Sequence, residues 1–309
     1  MSTVVDVLDC PACGSSESVV IGNGPAFEVL TQSQRFYHPA YPIARCQMCD
    51  LLYKTKRLSD AHLEEYYRNE LDYRQLETPG FFPTERKILE LFSPQQTGLN
   101  ILDFGCSSGR LLSKLAGRHK CYGVELNKEA AQAAIQKGVE ILALDDIESK
   151  ALLFDAVILA DVYEHLQNPL ILLKKLLKHL KPGGALIIAT GCSDGMAGRD
   201  FGQCWYFRIL GHLNIMSIKH VDWLSRRLGL QVSFSKKCSH YDSSVARRWV
   251  QWGRYWIYKH VHPRASWIGQ LILQTKVGKK ASAWTAPPAL DFQKDHVVIC
   301  YKNKQSEAA

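Results

Sequence analysis

The hydrophobic pattern of the middle of the chain alternates short apolar runs with helix-like segments. The apolar runs predict buried strands, and leucine or alanine at helical spacing predicts the helices between them. The predicted strands cover residues 101–104, 121–126, 139–144, 154–160, 185–190 and 230–234, and the main helices cover 85–92, 108–117, 127–137, 169–180 and 218–228. Such alternation predicts an α/β fold, in which a parallel sheet is covered by helices on both faces.

A last apolar run at 295–301 predicts a seventh strand. We therefore assign residues 84–238 and 291–303 to one domain, interrupted by an insertion at 239–290. Residues 304–309 are expected to form a disordered tail.

Two cysteine pairs precede this domain. Cys10 and Cys13 are two residues apart, as are Cys46 and Cys49. Two such knuckles supply four thiolates for a tetrahedral zinc ion, and a site filled by four protein ligands is structural rather than catalytic. Residues 1–58 are thus predicted to form a zinc ribbon that depends on the metal for folding.

Residues 59–83 connect the ribbon to the α/β domain. They contain a capped helical pattern and several aromatic residues, namely Tyr66, Tyr67, Tyr73, Phe81 and Phe82. Two interpretations remain open for this helical, aromatic connector: packing against the next domain, or a lid over the substrate.

The composition indicates a cellular compartment and reveals one segment of unusual charge. Ten cysteines without a secretory signal pattern point to a reducing, cytoplasmic environment. No apolar run reaches the roughly 18 residues that span a bilayer. The net charge of +8 arises between residues 243 and 290, which hold eight Lys or Arg and no Asp or Glu. Because the remainder is formally neutral, we expect no nucleic-acid partner.

Candidate chemistry begins after the first strand of the sheet. Asp103 lies in that strand, Gly105 and Gly109 bracket the following loop, and Ser107 and Ser108 are predicted to cap the next helix. A strand, a glycine loop and a helix form a nucleotide cradle at the carboxyl edge of a parallel sheet. A dinucleotide fits less well, because its loop usually carries three glycines.

Acidic residues follow the next three strands. Glu125 ends the second strand, where a carboxylate can accept both hydroxyls of a ribose. Asp146 is placed at the end of the third strand, within reach of an adenine amino group. Asp161 and Glu164 follow the fourth strand, at the mouth of the crevice.

Together these motifs resemble the class I S-adenosylmethionine-dependent methyltransferases, which have a Rossmann-like seven-stranded sheet. The resemblance covers roughly residues 84–235 and rests on the segments 102–109, 123–125, 154–157, 161–166 and 180–184. It implies that S-adenosylmethionine is the cofactor, bound by Asp103, Gly105, Cys106, Gly109, Glu125, Leu126, Asp146, Ile147 and Asp161. Ser107 stands where the family commonly has glycine.

The ribbon resembles that of a subgroup associated with sugar, glycan or other specialised metabolites. In that subgroup a Glu-His-Leu follows the fifth strand, and its histidine can act as a base in C-methylation. His212 matches that histidine, whereas Gly211 replaces the glutamate. The alternative is that His212 has a structural role, which we also expect for His165 and His220. Gly123 and Gly138 are expected to be turn residues.

The insertion carries five of the seven tryptophans, three of them on one helical face. These three are Trp249, Trp252 and Trp256, bordered by basic residues. Such a helix over residues 245–260 suits three partners: its own domain or a dimer partner, an anionic membrane surface, or an anionic substrate.

The sequence thus predicts O- or C-methylation of a small-molecule acceptor, with a sugar or glycan-related metabolite first. The alternative is a non-catalytic zinc-containing scaffold on the same fold, possibly at a membrane. An RNA or protein methyltransferase is disfavoured, because Asp161-Val162-Tyr163-Glu164 stands where an amide-methylating motif would lie. The acceptor and the oligomeric state are not specified.

Overall fold

The computed structural model describes residues 3–31, 33, 35–70, 72–77, 80–196, 205–261, 267–281, 288 and 290–303. The tail predicted at 304–309 lies outside these residues, as do Cys204, Trp284 and part of the glycine-containing loop after residue 196.

In the described residues the central sheet has seven strands, in agreement with the sequence prediction. They are β8 (Asn100–Phe104), β9 (Lys120–Val124), β10 (Glu140–Ile141), β11 (Phe154–Ala160), β12 (Leu180–Gly191), β14 (Leu230–Cys238) and β15 (His296–Asn303), and the short β13 (Asn214–Ile215) lies outside the sheet. Their order in the sheet is β10-β9-β8-β11-β12-β15-β14, in which β15 alone runs antiparallel to the others.

Helices cover both faces of the sheet, as predicted. The α-helices in the described residues are α1 (Asp60–Glu65), α2 (Pro83–Leu89), α3 (Lys128–Gln136), α4 (Leu144–Ser149), α5 (Pro169–Leu177), α6 (Ile218–Leu228), α7 (Val245–Val261), α8 (Trp267–Leu273) and α9 (Lys276–Ala281). Alternate strand residues enter two cores. Leu102 and Val157 pack with α5 and α6, and Ile101 and Ile158 pack with α2 and α3.

The structure contradicts the helix predicted at residues 108–117. Only a 3-10 turn at Leu112–Lys114 forms there. Gly109 has a φ of +70°, which no residue of a right-handed helix adopts, so helical turns cannot begin before it. The hydroxyl of Ser108 bonds to Glu77 and to Lys137 Nζ rather than capping a helix.

The third strand is also shorter than predicted. Its pairing covers Glu140–Ile141, and α4 begins at Leu144. Asp146 therefore lies in the first turn of α4, where its carboxylate accepts from the backbone N–H of Ala143 at 3.2 Å. Acidic residues favour this position because they pair with the exposed N–H groups of a helix start.

The N-terminal residues form small antiparallel sheets. Their strands are β1 (Val4–Asp6), β2 (Ser18–Gly24), β3 (Phe27–Leu30), β4 (Arg35–His38), β5 (Tyr41–Cys46), β6 (Leu52–Lys54) and β7 (Lys56–Leu58). The largest sheet has the order β13-β6-β5-β2, so that β13 of the α/β domain extends the N-terminal sheet. The N-terminal residues and the α/β domain thereby share one β-sheet.

The connector and the insertion approach the same edge of the central sheet. After α1 the chain forms a π-helical turn, Tyr66–Glu70, and a 3-10 turn, Tyr73–Leu76. Arg86 of α2 makes a paired salt bridge with Asp242, just before α7.

Among the helices described, none is both long and apolar enough to cross a membrane.

Candidate functional site

The four cysteines of the two knuckles converge at one point. Cys10 Sγ lies 3.5 Å from Cys49 Sγ, Cys13 Sγ lies 3.5 Å from Cys46 Sγ, and all four sulfurs lie within 4.8 Å of one another. Thiolates around a tetrahedral zinc ion, with Zn–S bonds near 2.3 Å, are about 3.8 Å apart. The donor set and its spacing therefore fit zinc.

The backbone of both knuckles has the same turn. Gly14 N–H donates to the carbonyl of Cys10 at 2.8 Å, and Asp50 N–H donates to that of Cys46 at 3.0 Å. Both Gly14 and Asp50 have positive φ. The hydrogen bond with Cys49 lowers the pKa of the Cys10 thiol and raises that of Cys49, and burial raises the pKa of Cys13, so these thiols share their protons and a bound cation would be needed to hold all of them as thiolates.

Buried hydrogen bonds join this cluster to the α/β domain. The carbonyl of Cys49 lies 2.8 Å from His220 Nδ1, and His220 Nε2 lies 2.7 Å from the hydroxyl of Tyr163, just after β11. Beside them, Lys54 Nζ donates to the carbonyl of Ile209 at 2.9 Å. His220 thus has a structural position, as expected, and links the knuckle to the edge of the sheet.

The glycine loop after β8 is shaped by its protein neighbours. A Cβ on Gly105 would meet Val162 at 2.6 Å, and one on Gly109 would meet Ala134 at 2.9 Å. Gly123 corrects a prediction: it lies within β9 rather than in a turn, and a Cβ there would meet Cys106 Sγ at 2.4 Å. The missing side chain makes room for Cys106.

Glu125 joins the loop to the end of β9. Its carboxylate accepts from the backbone N–H of Ser107 at 2.9 Å and of Asn127 at 2.7 Å. A carboxylate offers about four acceptor positions, so two remain for the hydroxyls of a ribose. The neighbouring Leu126 is exposed.

Two carboxyl groups at the strand ends keep an oxygen buried without a partner. Among the described residues, no group hydrogen-bonds to Asp103 Oδ1 or to Asp161 Oδ1. Burial, with Glu85 and Glu125 adding negative charge, raises the pKa of Asp103 to about 8. Burial and Glu164 likewise raise the pKa of Asp161 to about 7. Orphaned carboxylates suit a cationic ligand, which would restore their ionised form.

The predicted adenine contacts are placed differently. Ile147 is fully buried in the core beneath α4, so its side chain is not available to a ligand. Asp146, in the first turn of α4, is only partly buried. The structure therefore brings Asp103, Gly105, Glu125 and Asp161 around one edge and leaves Asp146 and Ile147 on a neighbouring helix.

Side chains of the connector contact the glycine loop. Arg110 forms a salt bridge with Glu85 and lies 4.5 Å above the ring of Phe82. It also donates to the carbonyl of Gly80 at 3.1 Å. With the hydrogen bond that the Ser108 hydroxyl donates to Glu77, these contacts place the connector across the glycine loop.

His212 is half-buried between two other rings near the same edge, and its Nδ1 atom is buried. Its ring centroid lies 4.2 Å from that of Tyr206 and 4.9 Å from that of His165. Burial lowers the pKa of His212 well below its ordinary value, so the imidazole is neutral. Glycine at position 211 has a steric reason, because a Cβ there would meet the hydroxyl of Tyr67 at 2.3 Å.

His240 and His296 were not predicted as site residues from the sequence, yet they lie at the same edge. The two rings stack with their centroids 4.5 Å apart, and His240 Nδ1 lies 3.9 Å from Asp161 Oδ2. His296 is the first residue of β15. Because β15 is antiparallel, its start lies at the carboxyl ends of its neighbours, a signal that could have identified it.

Comparisons with known proteins identify the family of this chain. The family described as "Methyltransferase domain" matches residues 72–233, just over half of the chain. A ubiquinone biosynthesis O-methyltransferase of Rickettsia conorii is 34% identical over 110 residues, which are 33% of this chain and 38% of that protein. A tRNA U34 carboxymethyltransferase of Desulfotalea psychrophila is 25% identical over 194 residues, 57% of this chain and 59% of that protein.

Among solved structures, the N-methyltransferase NodS of Bradyrhizobium japonicum in complex with S-adenosyl-L-homocysteine is 18% identical, with a TM-score of 0.46. The alignment covers 79% of this chain and 97% of that one. The chain spans less than two thirds of the length of the two curated relatives above. From the family match over residues 72–233, the chain belongs to the class I S-adenosylmethionine-dependent methyltransferase family.

Proposed function

We propose that this chain transfers a methyl group from S-adenosylmethionine to a small-molecule acceptor, and that this acceptor is a sugar or a glycan-related metabolite. The observation that carries the proposal is the set of carboxyl groups at one edge of the sheet, Asp103, Glu125 and Asp161. Glu125 keeps free acceptor positions, and the other two hold buried, unpartnered oxygens.

Each carboxyl group has a proposed role in binding the cofactor. S-adenosylmethionine carries an ammonium group and a sulfonium centre, both cationic, so Asp103 and Asp161 are suited to its methionine end. Glu125 would accept the ribose hydroxyls, with Gly105, Cys106 and Leu126 beside it. Gly109 supports this loop through its contact with α3. Asp146 and Ile147, proposed near the adenine, would contribute through the backbone at the start of α4.

The transfer step itself requires mainly alignment. The bound sulfonium supplies an activated methyl group, so the protein must hold the acceptor in line with it. A base is required only if the acceptor has to lose a proton. The neutral imidazole of His212 can accept one, in keeping with its proposed catalytic role. The four cysteines are proposed to hold a structural zinc ion.

The cofactor proposal is tested by calorimetry with S-adenosylmethionine on the zinc-loaded protein. Glu125→Ala should weaken binding at least about tenfold, because hydrogen bonds to a charged group are worth roughly 1.5–3 kcal/mol. Glu129→Ala, an exposed carboxylate in the first turn of α3, is the matched control. Absence of binding at millimolar cofactor would overturn the enzyme proposal in favour of a scaffold.

The acceptor is tested separately with methyl-labelled cofactor. Candidate acceptors are a nucleotide-linked sugar, a phenolic compound and tRNA, the last two because the relatives' names mention ubiquinone and tRNA. Label transferred to the sugar supports the proposal, and label transferred only to tRNA or to the phenol contradicts the sugar assignment.

We also propose that α7 contacts an anionic membrane surface. Trp249, Trp252 and Trp256 are 69%, 52% and 39% exposed, so this face is not covered by the described part of the domain. Basic residues border it, and anionic lipid would attract their charge while the indole rings enter the headgroup region.

A further inference from the structure

A second group of ligand-type side chains lies beside the cofactor edge. It consists of Glu164 and His165, in the 3-10 turn after β11, and His212, in the turn before β13. One ligand atom from each residue lies within 4.8 Å of the other two. We propose that these three residues bind a divalent metal ion distinct from the zinc of the ribbon. We call them the Glu-His-His cluster.

The two residues after β11 are already oriented by other groups. The imidazole of His165 is held through Nδ1, which lies 2.9 Å from the carbonyl of Gly211 and 2.9 Å from the hydroxyl of Tyr67. This arrangement assigns the proton to Nδ1 and leaves Nε2 as a lone-pair donor. Metal-binding histidines almost always have such a partner on the second ring nitrogen.

The carboxylate of Glu164 is held in a comparable way. One oxygen accepts from the hydroxyl of Thr190 at 2.6 Å, and the other accepts from that of Tyr206 at 3.1 Å. Each oxygen keeps a further lone pair. Ligating carboxylates are typically fixed by hydrogen bonds of this kind.

The third residue has a nitrogen that the protein leaves unused. His212 Nδ1 is buried and has no hydrogen-bond partner among the described residues. A buried polar atom without a partner costs on the order of 1–3 kcal/mol. A bound metal ion would satisfy it and would account for its position between His165 and Tyr206.

The charge of the cluster also calls for a cation. Glu164 is 1% exposed, yet its hydrogen-bond donors are neutral hydroxyls, and it forms no salt bridge within the part of the chain described. The buried Lys54 amine donates to the carbonyl of Ile209 instead, and burial lowers its pKa to about 7. The buried His296, whose pKa is raised by Asp295, Asp161 and Glu164, is shared among these three carboxyl groups. A buried carboxylate that no cation contacts directly is costly, and a metal ion is the usual remedy.

The ligand set points to a particular class of ion. Two imidazoles and one carboxylate suit first-row divalent ions such as zinc or manganese, with bonds near 2.0–2.2 Å. Ligands of a tetrahedral ion with such bonds are about 3.4 Å apart. Rotation of the His212 ring, whose Nδ1 is held by no hydrogen bond among the described residues, would tighten the cluster while His165 keeps its partners on Nδ1. Three protein ligands leave a coordination position open, as in catalytic sites.

The use of that open position rests on the proposed function, with His212 acting as a metal ligand in place of the base described above. The ion would hold a hydroxyl group of the acceptor and favour the loss of its proton to water. The acceptor oxygen would then form a bond to the methyl carbon, while the electron pair of the breaking C–S bond stays on sulfur. This gives the methylated acceptor and neutral S-adenosylhomocysteine.

Binding of Mn²⁺ to protein loaded with a single equivalent of zinc per chain, which the four cysteines would take up first, tests the cluster without cofactor or acceptor. Mn²⁺ prefers oxygen and nitrogen ligands to thiolates, so the ribbon does not compete. Electron paramagnetic resonance should show one bound Mn²⁺ per chain. His212→Ala should weaken Mn²⁺ binding by about tenfold to a hundredfold. The control is His119→Gln, which changes a buried histidine outside the cluster and should leave Mn²⁺ binding unchanged.

Glu164→Gln provides a second variant that keeps the size of the side chain and removes its charge. It should lower Mn²⁺ affinity to a similar extent while circular dichroism stays native. Equal Mn²⁺ affinity in the wild type and either cluster variant, or no stoichiometric binding in the wild type, would overturn the proposal. Calorimetry with S-adenosylmethionine tests the proposed function independently of this result.

Discussion

Single residues in the cofactor loop are held in conformations that a ligand-free chain would not favour. Ser107 has a φ of 47°, a left-handed conformation that glycine adopts readily. Asp103 is buried with an unpartnered oxygen. Such local costs are tolerated where the surrounding fold fixes the geometry, and they cluster at functional sites.

Replacement of Ser107 by glycine should stabilise the protein by about 1 kcal/mol, because the left-handed conformation costs a side chain roughly that much. Ala151→Gly is the matched control, since Ala151 has the same φ of 47° far along the chain from the loop. Thermal unfolding should show a similar gain for both variants. A loss of stability in Ser107→Gly alone would show that the serine side chain stabilises the loop.

Asp103 should make stability depend on pH. The native carboxyl keeps its proton up to a pKa of about 8, whereas the unfolded chain loses it near 3.8. Between these values the unfolded state binds fewer protons, so this residue lowers the free energy of unfolding as pH rises.

Asp103→Asn removes that dependence. Relative to the wild type, the variant should gain on the order of 2 kcal/mol between about pH 5 and pH 8. Denaturant titrations at the two pH values measure the gain. A constant difference between the two proteins would contradict the elevated pKa. The same variant should bind S-adenosylmethionine more weakly, because it cannot carry the negative charge.

At the scale of elements, α7 differs from the other helices in what its exposed face carries. The helices that flank the sheet bury apolar residues in one of the two cores, as Leu173 and Leu176 of α5 do. In contrast, α7 buries Gln251 and Val261 and exposes Trp249 and Trp252.

The exposed face of α7 should bind vesicles that contain anionic lipid. Vesicle flotation should recover the wild-type protein, and the double variant Trp249→Ala/Trp252→Ala should bind at least about tenfold less, since each buried indole contributes about 2 kcal/mol. Ile171→Ala, which removes an exposed apolar residue from α5, is the control.

Salt and lipid charge separate the membrane from other partners of α7. Binding should weaken in high salt and be absent with neutral vesicles, because the attraction is partly electrostatic. A wild-type protein that stays unbound to anionic vesicles would contradict the membrane proposal. A concentration-dependent dimer lost in the double variant would point to a protein partner.

At the scale of the whole molecule, the ribbon and the methyltransferase fold act as one hydrogen-bonded unit. Strand β13 extends the sheet of the ribbon, and the bonds from Cys49 through His220 to Tyr163 cross the boundary. Changes at the proposed zinc site should therefore reach the residues after β11.

Loss of one knuckle ligand should destabilise more than the ribbon. Cys13→Ser should release zinc and lower the melting temperature by several degrees or more, because metal binding supplies the folding free energy of such modules. It should also weaken the binding of S-adenosylmethionine, through His220 and Tyr163. Cys238→Ser, a partly buried cysteine outside the cluster, is the control. Unchanged zinc content and melting in Cys13→Ser would contradict a four-cysteine zinc site.

The sequence by itself determined the fold and the position of the glycine loop. Alternating periods specified the parallel sheet, and paired cysteines two residues apart predicted the cluster of four cysteines, because these signals depend on neighbours in the chain. The helix predicted after Gly105 failed for a local reason as well, the positive φ of Gly109, which no apolar pattern reports.

Only the tertiary structure decided which side chains meet at the edge of the sheet beside the glycine loop. His165 and His212 are 47 positions apart, and His240 and His296 reach the same edge from the insertion boundary and from the antiparallel strand. Gly123 is required by Cys106 and Gly211 by Tyr67, contacts that no local pattern encodes. The physical reason is that sequence periodicity fixes which face a residue takes, whereas packing between distant segments fixes what it meets there.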